Sequence, residues 1–190
     1  LSQNNLRSNS CGWLFLMSSI TSISAYSSGL VTRILTGWNL DISATNQGLC
    51  KFRSIISYTS MTTTIWFIAI ATIDRWLSSS TLANRRHKST IKNAHLATII
   101  LICTAFVVHI QMLVCFEANL IDTPQECFGK SSECRLISDL SFAIITVLLP
   151  LIIMIIFGLM TVIHVRQTRL RVHITTNGNS VGLKSSNLNE

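Results

Sequence analysis

Long apolar blocks separated by short polar segments make up the pattern of the 190-residue chain. Four of these blocks contain no Asp, Glu, Lys or Arg; they cover residues 8–32, 54–73, 94–116 and 140–165. Each is close to the roughly 20 residues with which a helix crosses a bilayer. The pattern therefore predicts an all-α membrane protein with four transmembrane helices, over about residues 9–35, 50–77, 94–116 and 140–166.

The second predicted span has distinctive residues at both of its ends. Cys50 opens it and Asp74, Arg75 and Trp76 close it. The 25 steps from Cys50 to Arg75 (75 minus 50) span about 37 Å in a helix. A bilayer with its headgroup zones is about 40–45 Å thick. One helix can therefore hold a cysteine at one interface and an Asp-Arg pair at the other.

The distribution of charged residues predicts which loops lie on the cytoplasmic side of the membrane. Only 12% of the residues are charged, about half the share in a soluble domain, and the net charge is +7. A basic chain can bind nucleic acid, but here the Lys and Arg residues are concentrated in some loops and scarce in others, which indicates membrane topology instead. Short loops rich in Lys and Arg stay cytoplasmic, so loop 77–93 and the tail are predicted to be inside. The loop bases are Arg85, Arg86, Lys88 and Lys92, whereas loop 36–49 has Asp41 alone and loop 117–139 has five acids and two bases.

Both ends of the chain are expected to be incomplete or unstructured. The first residue is Leu and no signal peptide is evident, so the chain is expected to be a fragment whose start lies upstream. Residues 172–190 are rich in Asn, Ser, Gly and Thr and are predicted to be a disordered cytoplasmic segment.

The six cysteines divide by their predicted depth. Cys11 and Cys103 fall at the inner end and in the interior of spans, and we expect them to be free. Four others fall at or beyond the outer face, where disulfides persist. Four cysteines allow three pairings, and all three remain open from the residues alone. The four are Cys50, Cys115, Cys127 and Cys134.

Several polar residues within the spans have more than one interpretation. The serines of the first span suit close helix packing, with a polar cavity as the alternative. Ser57, Tyr58, Met61 and Thr64 fall at helical spacing, and that face either lines a cavity or packs on neighbours. His109 is expected to bond to a neighbouring side chain. Pro150 removes a backbone hydrogen bond in mid-span and is predicted to bend the last helix, with neighbours satisfying the freed carbonyl.

No catalytic or metal-binding constellation is evident in the sequence. No group of His, Cys, Asp and Glu has metal-ligand spacing, and nothing matches a phosphate loop or a nucleophile elbow. The sequence therefore predicts neither an enzyme nor a cofactor or metal.

The arrangement of these features resembles rhodopsin-like (class A) G-protein-coupled receptors. Cys50 opens a span, Asp74-Arg75-Trp76 closes it, and a cysteine-containing loop precedes a span with a central proline. ATIDRWLSSS looks like the family's Asp-Arg-Tyr region, and IIMIIFGLMTVIHVRQ is similar to the fifth helix of invertebrate peptide receptors. The resemblance covers helices two to five of the seven, so residues 1–171 would be part of a seven-helix receptor domain.

The resemblance also implies roles for individual residues. Arg75, paired with Asp74 at rest, would swing free and contact a heterotrimeric G protein, next to Trp76. Cys50 would bond Cys127, and Cys115 and Cys134 could form a second bridge. An extracellular ligand would enter between Ser57, Tyr58, Met61 and Thr62 on one helix and Phe142 and Thr146 on another. Amine receptors have an Asp at the position of Ser57, so a peptide ligand is favoured.

The resemblance further implies a multi-pass protein of the plasma membrane, with membrane lipid as a partner and no nucleic acid. The chain departs from the family pattern at Trp76, where Tyr is usual, and at Gly158, where a Tyr used in activation is usual. Ser22 falls about where the family's sodium-site acid lies. The alternatives are a four-span scaffold of the tetraspanin or claudin type, or a subunit of a transporter.

Overall fold

The computed structural model describes residues 10–38, 46–80, 89–118 and 127–186, and within these ranges no side chain of 169–186 is described. Several loop residues on which the predicted topology depends lie outside the described residues: Arg7, Asp41, Arg85, Arg86, Lys88, Asp122 and Glu126.

Within the described residues, four helical spans are long and apolar enough to cross a membrane, as the sequence predicted. The first two are α1, Ser10–Gly37, and α2, Gln47–Ser79. The third span consists of α3, Ile91–His109, and a single turn, α4, Met112–Cys115. The fourth consists of α5, Ser132–Ser141, a π-helical segment, Phe142–Leu148, and α6, Leu149–Ser186.

Side-chain caps fix where three of these helices begin. The Asn46 side chain accepts from the Gly48 and Leu49 amides, and the Thr90 hydroxyl accepts from the Asn93 amide. Each cap satisfies backbone donors that a first turn leaves without helical partners. The Ser131 hydroxyl caps α5 in the same way, so the last helical stretch begins before the predicted span.

The last helix extends beyond residue 166, where the predicted span ends. α6 continues to Ser186, through most of the segment 172–190 that the sequence analysis expected to be disordered. The segment contains no proline, and each helical backbone bond needs only the residue four positions earlier. Its polar composition therefore does not by itself stop the helix.

α2 is the central helix of the described structure. It packs against α1, α3, α6 and the π-helical segment. Near the end that carries Asp74, Phe67 and Ala71 of α2 are buried with Leu14 of α1 and Leu101 of α3. At the other end, Cys50 and Ile55 are buried with Met112, Cys115, Phe116 and Cys127. The two clusters fix both ends of α2 in the bundle.

Hydroxyl groups join α1 to α2 along their length. Ser18 donates to the Thr64 carbonyl oxygen at 3.2 Å, and Thr64 donates to Thr21 Oγ1 at 2.9 Å. Other hydroxyls of α1 return their bonds to their own helix, as Ser27 does to the Ile23 carbonyl. Small hydroxyl residues thus support the close helix packing that suits a membrane interior.

Candidate functional site

Two disulfides close one end of the bundle. Cys50, at the start of α2, is bonded to Cys127, and Cys115 is bonded to Cys134. This is the pairing that the resemblance implies and one of the three that the residues alone leave open. Cys50 is fully buried, so the bond to Cys127 ties the segment before α5 directly onto the central helix.

A short hairpin lies between the two bridges. Strand β1, Phe116–Glu117, pairs antiparallel with β2, Phe128–Gly129. The Lys130 amide also donates to the Cys115 carbonyl oxygen at 2.8 Å. The Lys130 and Glu117 side chains form an exposed ion pair at 3.6 Å. We call this end of the bundle, with its bridges and hairpin, the disulfide end.

Tyr58 lies beneath the hairpin, surrounded by other rings. Its ring centroid is 5.5 Å from that of Phe142, at an interplanar angle of 89°. The rings of Phe116 and His109 lie at 6.0 and 5.9 Å. The contacts with Phe142 and Phe116 are edge-to-face and that with His109 is tilted, and aromatic pairs at these separations add stability beyond the area they bury. Tyr58 therefore joins α2 to the hairpin, to α3 and to the π-helical segment.

A buried polar cluster follows one turn further along α2. Thr62 Oγ1 lies 2.8 Å from His109 Nε2 and 2.7 Å from Thr146 Oγ1. All three side chains are at most 2% exposed. Because one hydroxyl has a single proton and two lone pairs, Thr62 can donate to at most one of these partners and accepts from the other or from both. His109 Nδ1 has no hydrogen-bond partner among the described residues. The cluster links α2, α3 and the π-helical segment at mid-span.

The predicted ligand residues divide into two groups in the structure. Tyr58, Thr62, Phe142 and Thr146 come together across α2 and the π-helical segment. Met61 is 44% exposed on the surface of α2, and Ser57 is half-buried. The hydroxyls of Thr62 and Thr146 already bond each other. A ligand that reaches their depth would therefore have to compete with that bond.

The π-helical segment ends next to Pro150, and a tryptophan compensates for the missing backbone donor. The Leu149 amide donates five residues back, to the Ile144 carbonyl. In that register the Ile145 carbonyl would accept from residue 150, but proline has no N–H. Trp66 Nε1 donates to the Ile145 carbonyl oxygen at 2.9 Å instead. α2 therefore satisfies the carbonyl that Pro150 frees.

The opposite end of α2 contains Asp74, which accepts two short hydrogen bonds. Ser10 of α1 donates to Asp74 Oδ2 at 2.7 Å, and Ser89 donates to Oδ1 at 2.7 Å. Bonds to an ionised acceptor are shorter and stronger than neutral ones. Asp74 therefore joins three segments: α1, α2 and the residues that lead into α3. We call this end of the bundle the Asp74 end.

Among the described residues, Arg75 forms no ion pair with Asp74, and their pairing at rest stays a prediction from the resemblance. Arg75 Nε donates to Cys11 Sγ at 3.3 Å, and its guanidinium lies 5.8 Å from the centre of the Phe15 ring. Adjacent residues on a helix point in different directions, so the two charged groups do not face each other. The hydroxyls of Ser10 and Ser89 take the place of the guanidinium at Asp74.

Trp76 turns towards the last helix. Its ring meets that of Phe157 edge-to-face, with centroids 5.1 Å apart. Phe157 directly precedes Gly158, where the family usually has a tyrosine. The three residues at the end of α2 therefore lie against different neighbours: Asp74 against two serines, Arg75 against α1, and Trp76 against α6.

The sequence analysis identified most of the side chains at these sites but not the residues that form hydrogen bonds with them. It did not single out Trp66, Ser10 or Ser89. For Trp66 a signal existed, because membrane tryptophans cluster at the interfaces, and one in mid-span needs an acceptor for its N–H. Ser10 and Ser89 carry no such signal, because serine is common throughout the chain.

The chain matches the sequence model of a known protein family. The sequence model of the family described as 7 transmembrane receptor (rhodopsin family) matches residues 19–181. That range contains α2, α3, the hairpin and the π-helical segment. A search of curated protein sequences found no significant match.

Proposed function

Because the chain belongs to the rhodopsin family of seven-transmembrane receptors, we propose that it forms helices two to five of a G-protein-coupled receptor. The receptor binds an extracellular peptide at the disulfide end and activates a heterotrimeric G protein at the Asp74 end. The observation that carries the proposal is α2 itself, which has the Cys50–Cys127 bridge at one end and Asp74, Arg75 and Trp76 at the other.

The proposed orientation puts the disulfide end outside the plasma membrane. Disulfides persist in oxidising compartments, and the basic residues Lys92 and Arg166 belong to the opposite end. Loop 77–93 and the tail are then cytoplasmic. Protease protection in sealed cells expressing a tagged chain tests this. Cleavage of an epitope inserted into loop 77–93 from the outside would contradict the orientation.

Arg75 is the residue proposed to meet the G protein. Within the described part of the chain, its guanidinium has no carboxylate partner, and its Nε donates to the Cys11 thiol, which is a weak acceptor. Its side chain is exposed. The remaining donors are therefore available to carbonyl groups of a partner protein, and breaking the contact with Cys11 costs little.

Tyr58 and Phe142 are proposed to form the floor of the ligand site. Asp139 adds a charge beside it, because it lies one helical turn before Phe142 and is exposed. Loop 117–139 has five acids against two bases. We therefore expect the peptide to present a Lys, an Arg or a free amine to Asp139, rather than to use the aspartate of amine receptors, which is Ser57 here.

The coupling proposal is tested with the receptor assembled from all seven helices. Arg75→Ala is expected to reduce nucleotide exchange on a purified heterotrimer by about tenfold or more, since a central arginine often dominates an interface. The matched control is Arg166→Ala, which removes an exposed cation from α6. Equal exchange rates for the Arg75 variant and the parent, at equal surface expression, would contradict the proposal.

The ligand proposal is tested with a library of synthetic peptides with and without basic residues. Activation should be confined to basic peptides, and Asp139→Asn should weaken it by about tenfold, as expected for loss of one charge-assisted contact. Glu133→Gln removes a charge from the same helix and serves as the control. The charge argument would be refuted if neutral peptides activated the receptor and did so equally in the parent and in Asp139→Asn protein.

A further inference from the structure

A cavity of about 200 Å³ lies between α2, α3 and the π-helical segment. Its wall includes Thr62 and Trp66 of α2, Thr104 and Ala105 of α3, and Ile145. Of the residues proposed for the peptide ligand, it touches Thr62 alone. The cavity therefore lies behind the proposed ligand site.

The polar groups of this wall are already satisfied. Thr62 bonds His109 and Thr146, and the Thr104 hydroxyl donates to the Ile100 carbonyl of its own helix at 2.9 Å. Trp66 Nε1 and the Ile145 carbonyl bond each other. With these atoms engaged, the wall offers mainly the apolar parts of its side chains. Such a surface suits hydrocarbon, because a polar ligand would give up its bonds to water without replacement.

The cavity lies near the middle of the span. Thr62 is 12 steps along α2 from Cys50 and 13 from Arg75, which correspond to about 18 and 20 Å of helix. Lipid acyl chains end at that depth. A cavity there meets terminal methyl groups rather than headgroups.

The cavity is bordered by side chains that face lipid. Thr104 is itself exposed, and Val107, one turn further along α3, is 65% exposed. Leu148, one turn after Ile145, is 52% exposed. In a multi-pass membrane protein, such apolar exposed residues contact acyl chains. A chain end can therefore enter the cavity laterally from the bilayer.

We propose that this cavity is a binding site for the terminal part of a membrane-lipid acyl chain. An apolar cavity of about 150 Å³ in a soluble protein stays dry and binds benzene, so the volume here is ample for a few methylene groups. The bound chain fills the gap beside Trp66 and supports the contact between α2 and the π-helical segment. The proposal does not depend on the proposed function.

Quenching of Trp66 by brominated lipid tests this site. Trp13, Trp38 and Trp76 are replaced by Phe, so that Trp66 is the remaining tryptophan. The chain is reconstituted in vesicles of phosphatidylcholine brominated near the terminal methyl or near the carboxyl group. Bromine quenches indole fluorescence at contact distance, so we expect terminal bromines to quench strongly and carboxyl-end bromines weakly.

A variant with a filled cavity distinguishes quenching by a lipid chain inside the cavity from quenching by the bulk lipid around the protein. Ala105→Leu puts three extra carbon atoms into the wall and is expected to reduce terminal-bromine quenching by about twofold or more. Cys103→Leu enlarges an exposed position on the same helix and should leave the quenching unchanged. Ala105→Val gives a milder filling if the leucine variant fails to fold.

Three outcomes would overturn the proposal. Absence of terminal-bromine quenching means that protein covers the cavity or that no chain enters it. Equal quenching in the parent, Ala105→Leu and Cys103→Leu proteins means that Trp66 senses bulk lipid alone. Stronger quenching by carboxyl-end bromines means that the chain end is not the occupant.

Discussion

Replacing Trp66 with phenylalanine would show how the chain tolerates a proline in mid-span. The substitution keeps an aromatic ring but removes the Nε1–H that donates to the Ile145 carbonyl at 2.9 Å. Pro150 cannot supply a replacement donor. The carbonyl would then be left without a partner in an apolar part of the span.

The loss of unfolding free energy in Trp66→Phe protein can be bounded from known magnitudes. Leaving a buried group without its hydrogen bond costs about 1–3 kcal/mol, and hydrogen bonds within membranes average about 0.6 and reach about 1.7 kcal/mol. The smaller ring also loses packing. We therefore expect the free energy of unfolding to fall by about 1–2 kcal/mol. For a chain of 150–250 residues, this corresponds to a melting temperature lower by about 2–8 °C.

A double-mutant cycle makes the prediction specific to the carbonyl. In Pro150→Ala protein the chain regains a backbone N–H, so Trp66→Phe should cost less there than in the parent. The assay is thermal unfolding of the purified chain in detergent. Trp38→Phe, at a site 70% exposed, is the control and should not change the melting temperature. The reasoning would be refuted if Trp66→Phe lowered the free energy of unfolding by the same amount, to within about 0.5 kcal/mol, in the parent and in Pro150→Ala protein.

Three further predictions concern the buried polar cluster, the Asp74 end and the disulfide end. His109→Phe should destabilise the chain by about 1–3 kcal/mol in thermal unfolding, because Thr62 loses the partner at 2.8 Å while both sites stay buried. Ser89→Ala removes one of two short bonds to Asp74 and should cost about 1 kcal/mol or more. Cys127→Ser opens the bridge to α2 and should cost about 2–5 kcal/mol, measured as lost surface expression and a lower melting temperature.

Matched controls accompany these three predictions. His109→Gln keeps a hydrogen-bonding group and should recover part of the stability lost in His109→Phe. Ser78→Ala removes an exposed hydroxyl that bonds the backbone of its own helix, and its effect should be smaller than that of Ser89→Ala. Cys103→Ser changes a free, exposed thiol and should be neutral beside Cys127→Ser. Controls as damaging as the variants they accompany would contradict all three arguments.

The limits of sequence reasoning are clearest at the disulfide end. Depth alone selected Cys50, Cys115, Cys127 and Cys134 as candidates for bridges but left three pairings open. The resemblance implied the pairing that the structure contains. The length of loop 117–139 allows a hairpin, but its strands could not be located in advance, because two-residue strands have too little pattern to be recognised in a sequence.

Asp74 and Arg75 show a different case, because the resemblance implies a pair between them and the described residues contain no such ion pair. The acidic and basic residues are adjacent in the sequence, but on a helix they point to different sides. Ser10, 64 positions from Asp74, occupies one carboxylate oxygen. No local pattern in the chain connects two residues at that separation.

The sequence by itself determined the four spans, the likeness to a receptor and the loss of a backbone bond at Pro150. These follow from hydropathy, from residue spacing along one helix and from the chemistry of one residue, all of which are local. The tertiary structure decided which groups meet: Trp66 with the Ile145 carbonyl, 79 positions away, and Thr62 with Thr146, 84 positions away. The physical reason is that these contacts depend on how whole helices pack, and hydropathy places helices in a membrane without specifying which of their polar atoms will face each other.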